Sequence, residues 1–277
     1  MIDPADPDQL AGLLRRHRVN LVHRLGQNFL TNPAVRDRIA EAAGTTALDS
    51  VLEVGAGAGA LTIALAERCR RLVAVELDRR LIPLLREVLA GHDTVEVVEG
   101  DILKFKRLAA FPGGGEVVAG NIPYSVTGAL IRRLLDHAPR PRRLSLVVQK
   151  EVGERWTAAT GASLATVAVQ VFTEARMAFT IPASAFTPPP RVDSALVLLE
   201  VRGQPAVEVG DLNDFFRLVE AVFQFRRKQL GGALGRFSGF GSTDASARLR
   251  ALGVDPQRRP QTLTLGEWEA IYNGFRH

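Results

Sequence analysis

Several residues stand where chemistry could be done. The stretch LEVGAGAGAL puts Gly55, Gly57 and Gly59 between an apolar run and a helical one. Glycines there let a ligand approach the backbone, and the following helix N-terminus offers exposed N–H groups. Glu76 closes the apolar run RLVAVE, where a carboxylate can accept both hydroxyls of a ribose. Asp101 closes TVEVVEGD, where a carboxylate could accept from an adenine amino group. In this order the three features point to a nucleoside-containing cofactor. The spacing is G-x-G-x-G rather than the G-x-G-x-x-G of dinucleotide loops, which argues against NAD. A further run, VVAGNIPYSV, ends on Asn121-Ile122-Pro123-Tyr124. A plain strand-to-helix turn would favour Gly, Asp or Ser there.

The elements that must position these residues follow from periodicity. SVLEV, RLVAVELD, TVEVVEGD, EVVAGNIPY and RRLSLVVQ read as strands. ALTIALAERC, RRLIPLLREVLAG and GALIRRLLDHA read as the helices between them, and KEV begins another. Alternating strands and helices imply a parallel sheet covered on both faces, with ligands at the carboxyl ends of the strands. Before them, residues 8–18 read as a short helix. A second helix starts at Asn32 as N-cap with Pro33 at its first position, and Gly44 stops it. After residue 160 the alternation weakens. SLATVAVQVFTEARMAFTIP and SALVLLEV read as strands, joined by ASAFTPPPRVD. VRGQPAVEVG reads as a linker, residues 211–277 as helical, and SGFGS around 238–242 as a flexible loop. The expected division is 1–202 and 203–277.

The formal charge of +5 is modest, but arginine clusters near His23-Arg24 and at Arg226-Arg227-Lys228, which favours an acidic partner. The single cysteine, Cys69, excludes a disulfide framework and a cysteine-based zinc site. The histidines show no metal-ligand spacing, so no metal is expected. No run approaches the roughly 18 apolar residues of a membrane helix. The acidic, proline-broken start MIDPADPDQL is unlike a secretory signal, so the expected location is cytoplasmic.

Asn121-Ile122-Pro123-Tyr124 resembles the (N/D/S)-(I/L/P)-P-(Y/F) motif of methyltransferases that modify exocyclic amino groups of bases, and the glycine loop resembles the S-adenosylmethionine site of class I methyltransferases. The chemistry is legible. An adenine N6 is a poor nucleophile because its lone pair is delocalised into the ring. The Asn121 side-chain oxygen and the Ile122 carbonyl can accept its two N–H bonds and aim the lone pair at a methyl group. Pro123 fixes φ and removes a competing donor, and Tyr124 offers a stacking face for an extruded base.

The whole chain resembles the KsgA/RsmA family of small-subunit rRNA adenine N6-dimethyltransferases. The resemblance runs through HRLGQNFL (23–30), LEVGAGAGALT, VELD, GNIPY, VVQKEVGERW, PASAFTPPPRVDSALV (182–197), FQFRRKQL (223–230) and LGVDPQRRPQTLTLGEW (252–268). It implies a Rossmann-like α/β catalytic domain with a mostly parallel seven-stranded sheet and a small C-terminal α-helical domain that binds rRNA. It implies S-adenosylmethionine contacts at Gln27, Asn28, Leu30, Glu53, Gly55, Gly57, Gly59, Glu76, Leu77, Asp101, Ile102 and Asn121. Phe186 is implied to sandwich the target adenine opposite Tyr124. RNA contacts are expected at His23, Arg24, Arg191, Arg226, Arg227 and Lys228, with the basic triplet on a helix. The family dimethylates two adjacent adenines near the 3′ end of 16S rRNA in a partly assembled small subunit, and a monomer is expected. The chain departs from the family pattern at Ala162-Ser163, at SVTGAL after the motif, at Ala56, and in the residues after the basic triplet. Two alternatives remain at this point. An Erm-type 23S rRNA adenine methyltransferase shares the glycine loop, QNFL and NIPY, although the tail and AFTPPPRVDSALV lean away from it. A non-catalytic rRNA-binding assembly factor would not need GNIPY and the acid pair.

Overall fold

A computed structural model describes the chain except residues 1, 21–26, 106–115, 124–125, 137–138, 240 and 276–277. The expectations for His23, Arg24 and Tyr124 lie outside the described residues. The elements begin with α1 (Pro7–Arg16), β1 (Phe29–Leu30), α2 (Pro33–Ala42), β2 (Ser50–Val54), α3 (Ala60–Ala66), β3 (Arg71–Glu76), α4 (Ile82–Val88) and β4 (Val95–Glu99). They continue with β5 (Val117–Asn121), α5 (Thr127–Leu135), β6 (Arg143–Gln149), α6 (Lys150–Thr157), α7 (Leu164–Phe172), β7 (Thr173–Ile181), β8 (Phe186–Thr187) and β9 (Ser194–Val201). Four helices follow: α8 (Leu212–Gln224), α9 (Leu230–Ser238), α10 (Gly241–Ala251) and α11 (Leu265–Phe275).

Among the described residues the main sheet has seven strands in the order β4-β3-β2-β5-β6-β9-β7. β4, β3, β2, β5 and β6 pair in parallel, and β9 pairs with β6 antiparallel. The expected mostly parallel seven-stranded sheet is therefore present. Its central strands are buried and mostly apolar, as a parallel sheet covered on both faces requires. In β2, Val51, Leu52, Glu53 and Val54 are all buried, and every residue of α3 is buried too. Registers such as Val54↔Val75 and Glu76↔Glu99 bring the carboxyl ends of β2, β3 and β4 level at one edge.

Two helix starts form as their sequences dictate. The Asn32 side chain accepts from the Val35 N–H at 3.0 Å with Pro33 at the first helical position. Asp6 caps α1, accepting from the N–H groups of Asp8 and Gln9.

The chain forms two compact units: 1–154 with 175–201, and 155–174 with 202–277. The boundary expected after 202 lies beside the later crossing, but 155–174 packs with the C-terminal helices rather than with the first domain. Of the expected strand SLATVAVQVFTEARMAFTIP, the second half is β7 and the first half is the helix α7. Its β-branched and small residues suggested a strand, yet Thr166, Val167, Ala168, Val169, Val171 and Phe172 are all buried. A helix buried all round shows no polar stripe at a 3.6 period. Ser163 starts it, its Oγ accepting from the Thr166 N–H at 3.1 Å. Aromatic pairs fill the core of this second unit: Phe172 with Phe216 at 5.6 Å, Phe215 with Tyr272 at 5.8 Å, and Phe223 with Trp268 at 5.5 Å between ring centroids. Of the expected loop SGFGS, Ser238 ends α9, Gly239 caps it at φ +72°, and Gly241 begins α10. Among the described residues no helix is long and apolar enough to cross a membrane, and no group of three or more His, Cys, Asp or Glu could hold a metal ion.

A candidate nucleoside cleft at the strand ends

The carboxyl ends of β2, β3, β4 and β5 open into one cleft of about 1170 Å³, its mouth included. Eleven of the twelve residues expected at the cofactor line it: Gln27, Asn28, Leu30, Glu53, Gly55, Gly57, Glu76, Leu77, Asp101, Ile102 and Asn121. Pro123 and Val126 lie on the same wall. Gly59 does not. It heads α3 at φ +91°, and a Cβ there would stand 2.9 Å from Leu85 Cδ1 and 3.1 Å from Val88 Cγ1. Its left-handed φ suits glycine at the start of α3, where the backbone also runs close to α4.

The acids sit where the strands end, each with its own environment. Glu76 is buried; Oε2 accepts from the Gly57 N–H at 2.7 Å and Oε1 from the Asp78 N–H at 2.8 Å. Burial raises its pKa, and these two amides counter the rise. Its carboxylate is thus aimed by the glycine loop before any ligand arrives. Glu53 is 1% exposed, and its Oε2 has no hydrogen-bond partner among the described residues. Burial, with the charge of Glu76 nearby, pushes its pKa up to about 8. Asp101 caps the short turn Ile102–Lys104, Oδ1 accepting from the Leu103 N–H at 2.9 Å. The capping role and the place on the cleft wall coexist, since a carboxylate has lone pairs for both. Leu77 is 57% exposed beside these acids, an apolar surface at the edge of the cleft. These features fit a nucleoside carrying a charged chain: acids for hydroxyl and amino groups, an apolar edge for a flat ring, and a buried carboxyl with one unpartnered oxygen.

The end of β5 supplies the other wall. Asn121 Nδ2 donates to the Asn28 carbonyl at 2.9 Å, which fixes the side-chain amide. Its Oδ1 is the end directed away from that carbonyl. The Ile122 N–H donates to the Val147 carbonyl at 3.0 Å, locking the motif onto β6. The Ile122 side chain is buried and Pro123 reaches the cleft. Gly120, given no role from sequence, makes this approach possible: a Cβ there would lie 2.3 Å from the Val54 carbonyl oxygen. The signal was its place one residue before Asn121.

Phe186 lies on β8, paired with Leu30 of β1 in a two-stranded antiparallel arm. The Thr31 N–H donates to the Ala185 carbonyl at 2.8 Å, and the Thr31 and Thr187 hydroxyls meet at 2.8 Å. Phe186 is 3% exposed and belongs to the core, so its ring is not an open face in this state. Arg191 is exposed on the following loop. Arg226, Arg227 and Lys228 are exposed in the second unit, but not on a helix as expected. α8 ends at Gln224, and the triplet lies in the turn before α9. The turn closes as the Lys228 N–H donates to the Phe225 carbonyl at 2.7 Å. Sequence reasoning also missed Asp78 and Pro4, both on the cleft wall. Asp78 stands two residues after Glu76 in VELD, which was the available signal.

Known proteins resemble this chain over nearly its whole length. Residues 18–275 match the family profile described as Ribosomal RNA adenine dimethylase. A relative from Pelotomaculum thermopropionicum, named Ribosomal RNA small subunit methyltransferase A, is 42% identical over 99% of this chain and 98% of its own. One of the same name from Enterococcus faecalis is 37% identical over 98% and 96%. Among solved structures, the 23S rRNA methyltransferase ErmE is similar with 30% identity and a TM-score of 0.69, covering 90% of this chain and 99% of that one. A dimethyladenosine transferase from Plasmodium falciparum, at 26% identity, gives a TM-score of 0.72 over 89% and 97%.

Proposed function

This chain belongs to the ribosomal RNA adenine dimethylase family, and we propose that it dimethylates the N6 amines of two adjacent adenines in the 3′-terminal hairpin loop of small-subunit rRNA. The names of its relatives support the small-subunit target. The observation that carries the chemistry is the fixed Asn121 amide, held by Asn28 at the end of β5.

S-adenosylmethionine, when bound, supplies an electrophilic methyl group. Glu76 and Asp101 would hold the nucleoside part through its hydroxyls and amino group, and Leu77 and Ile102 would offer apolar surface to its ring. Glu53, Gln27, Asn28, Leu30, Gly55 and Gly57 complete the cradle. On the acceptor side, Asn121 Oδ1 and the Ile122 carbonyl would accept hydrogen bonds from the two N6 N–H groups, leaving the lone pair to form the N–C bond as the donor's S–C bond breaks and a neutral thioether leaves. Alkylated N6 is strongly acidic, so its proton leaves to water and no strong base is needed. For the second methylation only one N–H remains, and one acceptor suffices. Tyr124 and Phe186 are the aromatic pair for the base, Phe186 by a change that uncovers its ring. His23, Arg24, Arg191, Arg226, Arg227 and Lys228 contact phosphates, and the 203–277 region is an rRNA-binding domain. The protein acts as a cytoplasmic monomer during small-subunit assembly.

The test is to incubate the protein and methyl donor with each unmodified ribosomal subunit and map dimethyladenine. Two adjacent modified adenines near the 3′ end of the small-subunit RNA are expected. Modification confined to the large subunit would replace this reading with that of the Erm type.

A further inference from the structure

The end of β3 and the chain around Gln27 are tied together by hydrogen bonds that the reading above does not use. Their centre is Asp78, 6% exposed and on the cleft wall. Its Oδ2 accepts from Gln27 Nε2 at 2.7 Å and from Arg80 Nη2 at 2.5 Å. Its Oδ1 accepts from Arg80 Nε at 2.8 Å and from the Arg80 N–H at 3.1 Å. This is a two-pronged guanidinium–carboxylate pair, the geometry that fixes a carboxylate most firmly. Arg80 reaches further, its Nη1 donating to the Asn20 carbonyl at 3.2 Å. Asp78 and Arg80 therefore hold both Asn20 and Gln27.

The network continues in two directions. The Asp78 N–H donates to Glu76 Oε1, and Glu76 Oε2 accepts from the Gly57 N–H. On the other side, Gln27 adjoins Asn28, whose carbonyl takes the Asn121 amide at 2.9 Å. One path thus runs from the glycine loop through Glu76, Asp78 and Gln27–Asn28 to Asn121. It crosses the cleft from the acid on the cofactor side to the amide on the amine side. A carboxylate that served only to pair Arg80 would have no need of Gln27. The Arg71–Glu96 pair offers a contrast: it begins on the same strand, at the end away from the cleft, and is half exposed.

We propose that Asp78, clamped by Arg80, is a positioning residue that sets Glu76 and Asn121 together through Gln27–Asn28. The inference rests on the function proposed above. Ordering one side of the cleft lowers the cost of ordering the other, so cofactor and RNA each tighten the other's binding by the same factor.

The test titrates S-adenosylhomocysteine calorimetrically into wild type, Asp78→Ala, Gln27→Ala and the double variant. It also measures binding of a labelled hairpin RNA with and without that ligand. Gln27→Ala removes the Gln27–Asp78 bond and leaves the Asp78–Arg80 pair, so it stands in if Asp78→Ala folds poorly. Each single change is expected to weaken the ligand about 5–20-fold, and the double variant no more than the worse single. Tighter RNA binding in the presence of ligand is expected in wild type and lost in both singles. Arg71→Ala should match wild type throughout. Independent, additive losses from Asp78→Ala and Gln27→Ala would overturn the proposal, as would a lower Tm with unchanged affinities. Wild type failing to bind the ligand at all would overturn the site reading, and this inference with it.

Discussion

The cleft of the first unit and the basic turn of the second are built on opposite principles. In the cleft, polar groups are buried and aimed by backbone. Glu76 is held by two amides and Asn121 by one carbonyl, at strand ends that the sheet register keeps level. In the second unit the fixed part is aromatic packing around Phe215 and Trp268, while Arg226, Arg227 and Lys228 stand in solvent. The first arrangement stabilises one geometry and is little screened by salt. The second attracts any polyanion and is strongly screened. Selectivity for the reacting atom should therefore reside in the cleft, and salt-dependent affinity in the turn.

The largest effect tests whether the second unit depends on its aromatic core. Trp268 is fully buried, and Trp268→Ala should lower stability by about 3–5 kcal/mol, read by denaturant unfolding. A change below about 1 kcal/mol would mean that the aromatic pairs do not carry the unit. Next, Asn121→Ala should slow methyl transfer about 10²–10³-fold while hairpin RNA affinity stays near wild type. A comparable loss of RNA affinity would blur the contrast between cleft and turn. Third, Glu53 is held protonated up to a pKa of about 8, above its ordinary value of 4.5. The native state then binds a proton that the unfolded chain has already lost, so stability falls as pH rises from about 4.5 to 8. The slope from this group is at most about 1.4 kcal/mol per pH unit. Glu53→Gln should flatten that segment of the pH–stability curve; an unchanged curve would show that Glu53 is ionised when folded. Smallest, replacing Arg226, Arg227 and Lys228 by Gln should reduce the salt slope of RNA binding by about 2. An unchanged slope would return the triplet to a plain solvated turn.

The cleft was legible because residue type and position agreed there. Apolar runs ending in Gly, Glu, Asp and Asn can place those side chains only at one edge of a parallel sheet. The exceptions concern packing, which spacing does not encode. Gly59 and Gly120 match the expected motifs, yet what demands glycine there is the left-handed φ of +91° at Gly59 and the Val54 carbonyl from another strand at Gly120. Asp78 was hidden for a similar reason: its partner Gln27 is distant along the chain. The second unit was less legible. α7 lacks a polar face, so its helical period was masked, although Ser163 in the capping position was a visible signal. FQFRRKQL carries no Gly or Pro to stop a helix. The stop comes from tertiary contact, as the Leu230 N–H donates to the Arg258 carbonyl and the Leu230 side chain is buried.

The central claim is that the cleft governs the chemical step and the basic turn governs attachment. The most direct measurement takes Asn121→Ala and the basic-triplet variant side by side, recording hairpin RNA affinity and the single-turnover methylation rate at saturating RNA. The expected result is a double dissociation: Asn121→Ala loses rate and keeps affinity, and the triplet variant loses affinity and keeps rate. Both variants losing the same parameter would contradict the account.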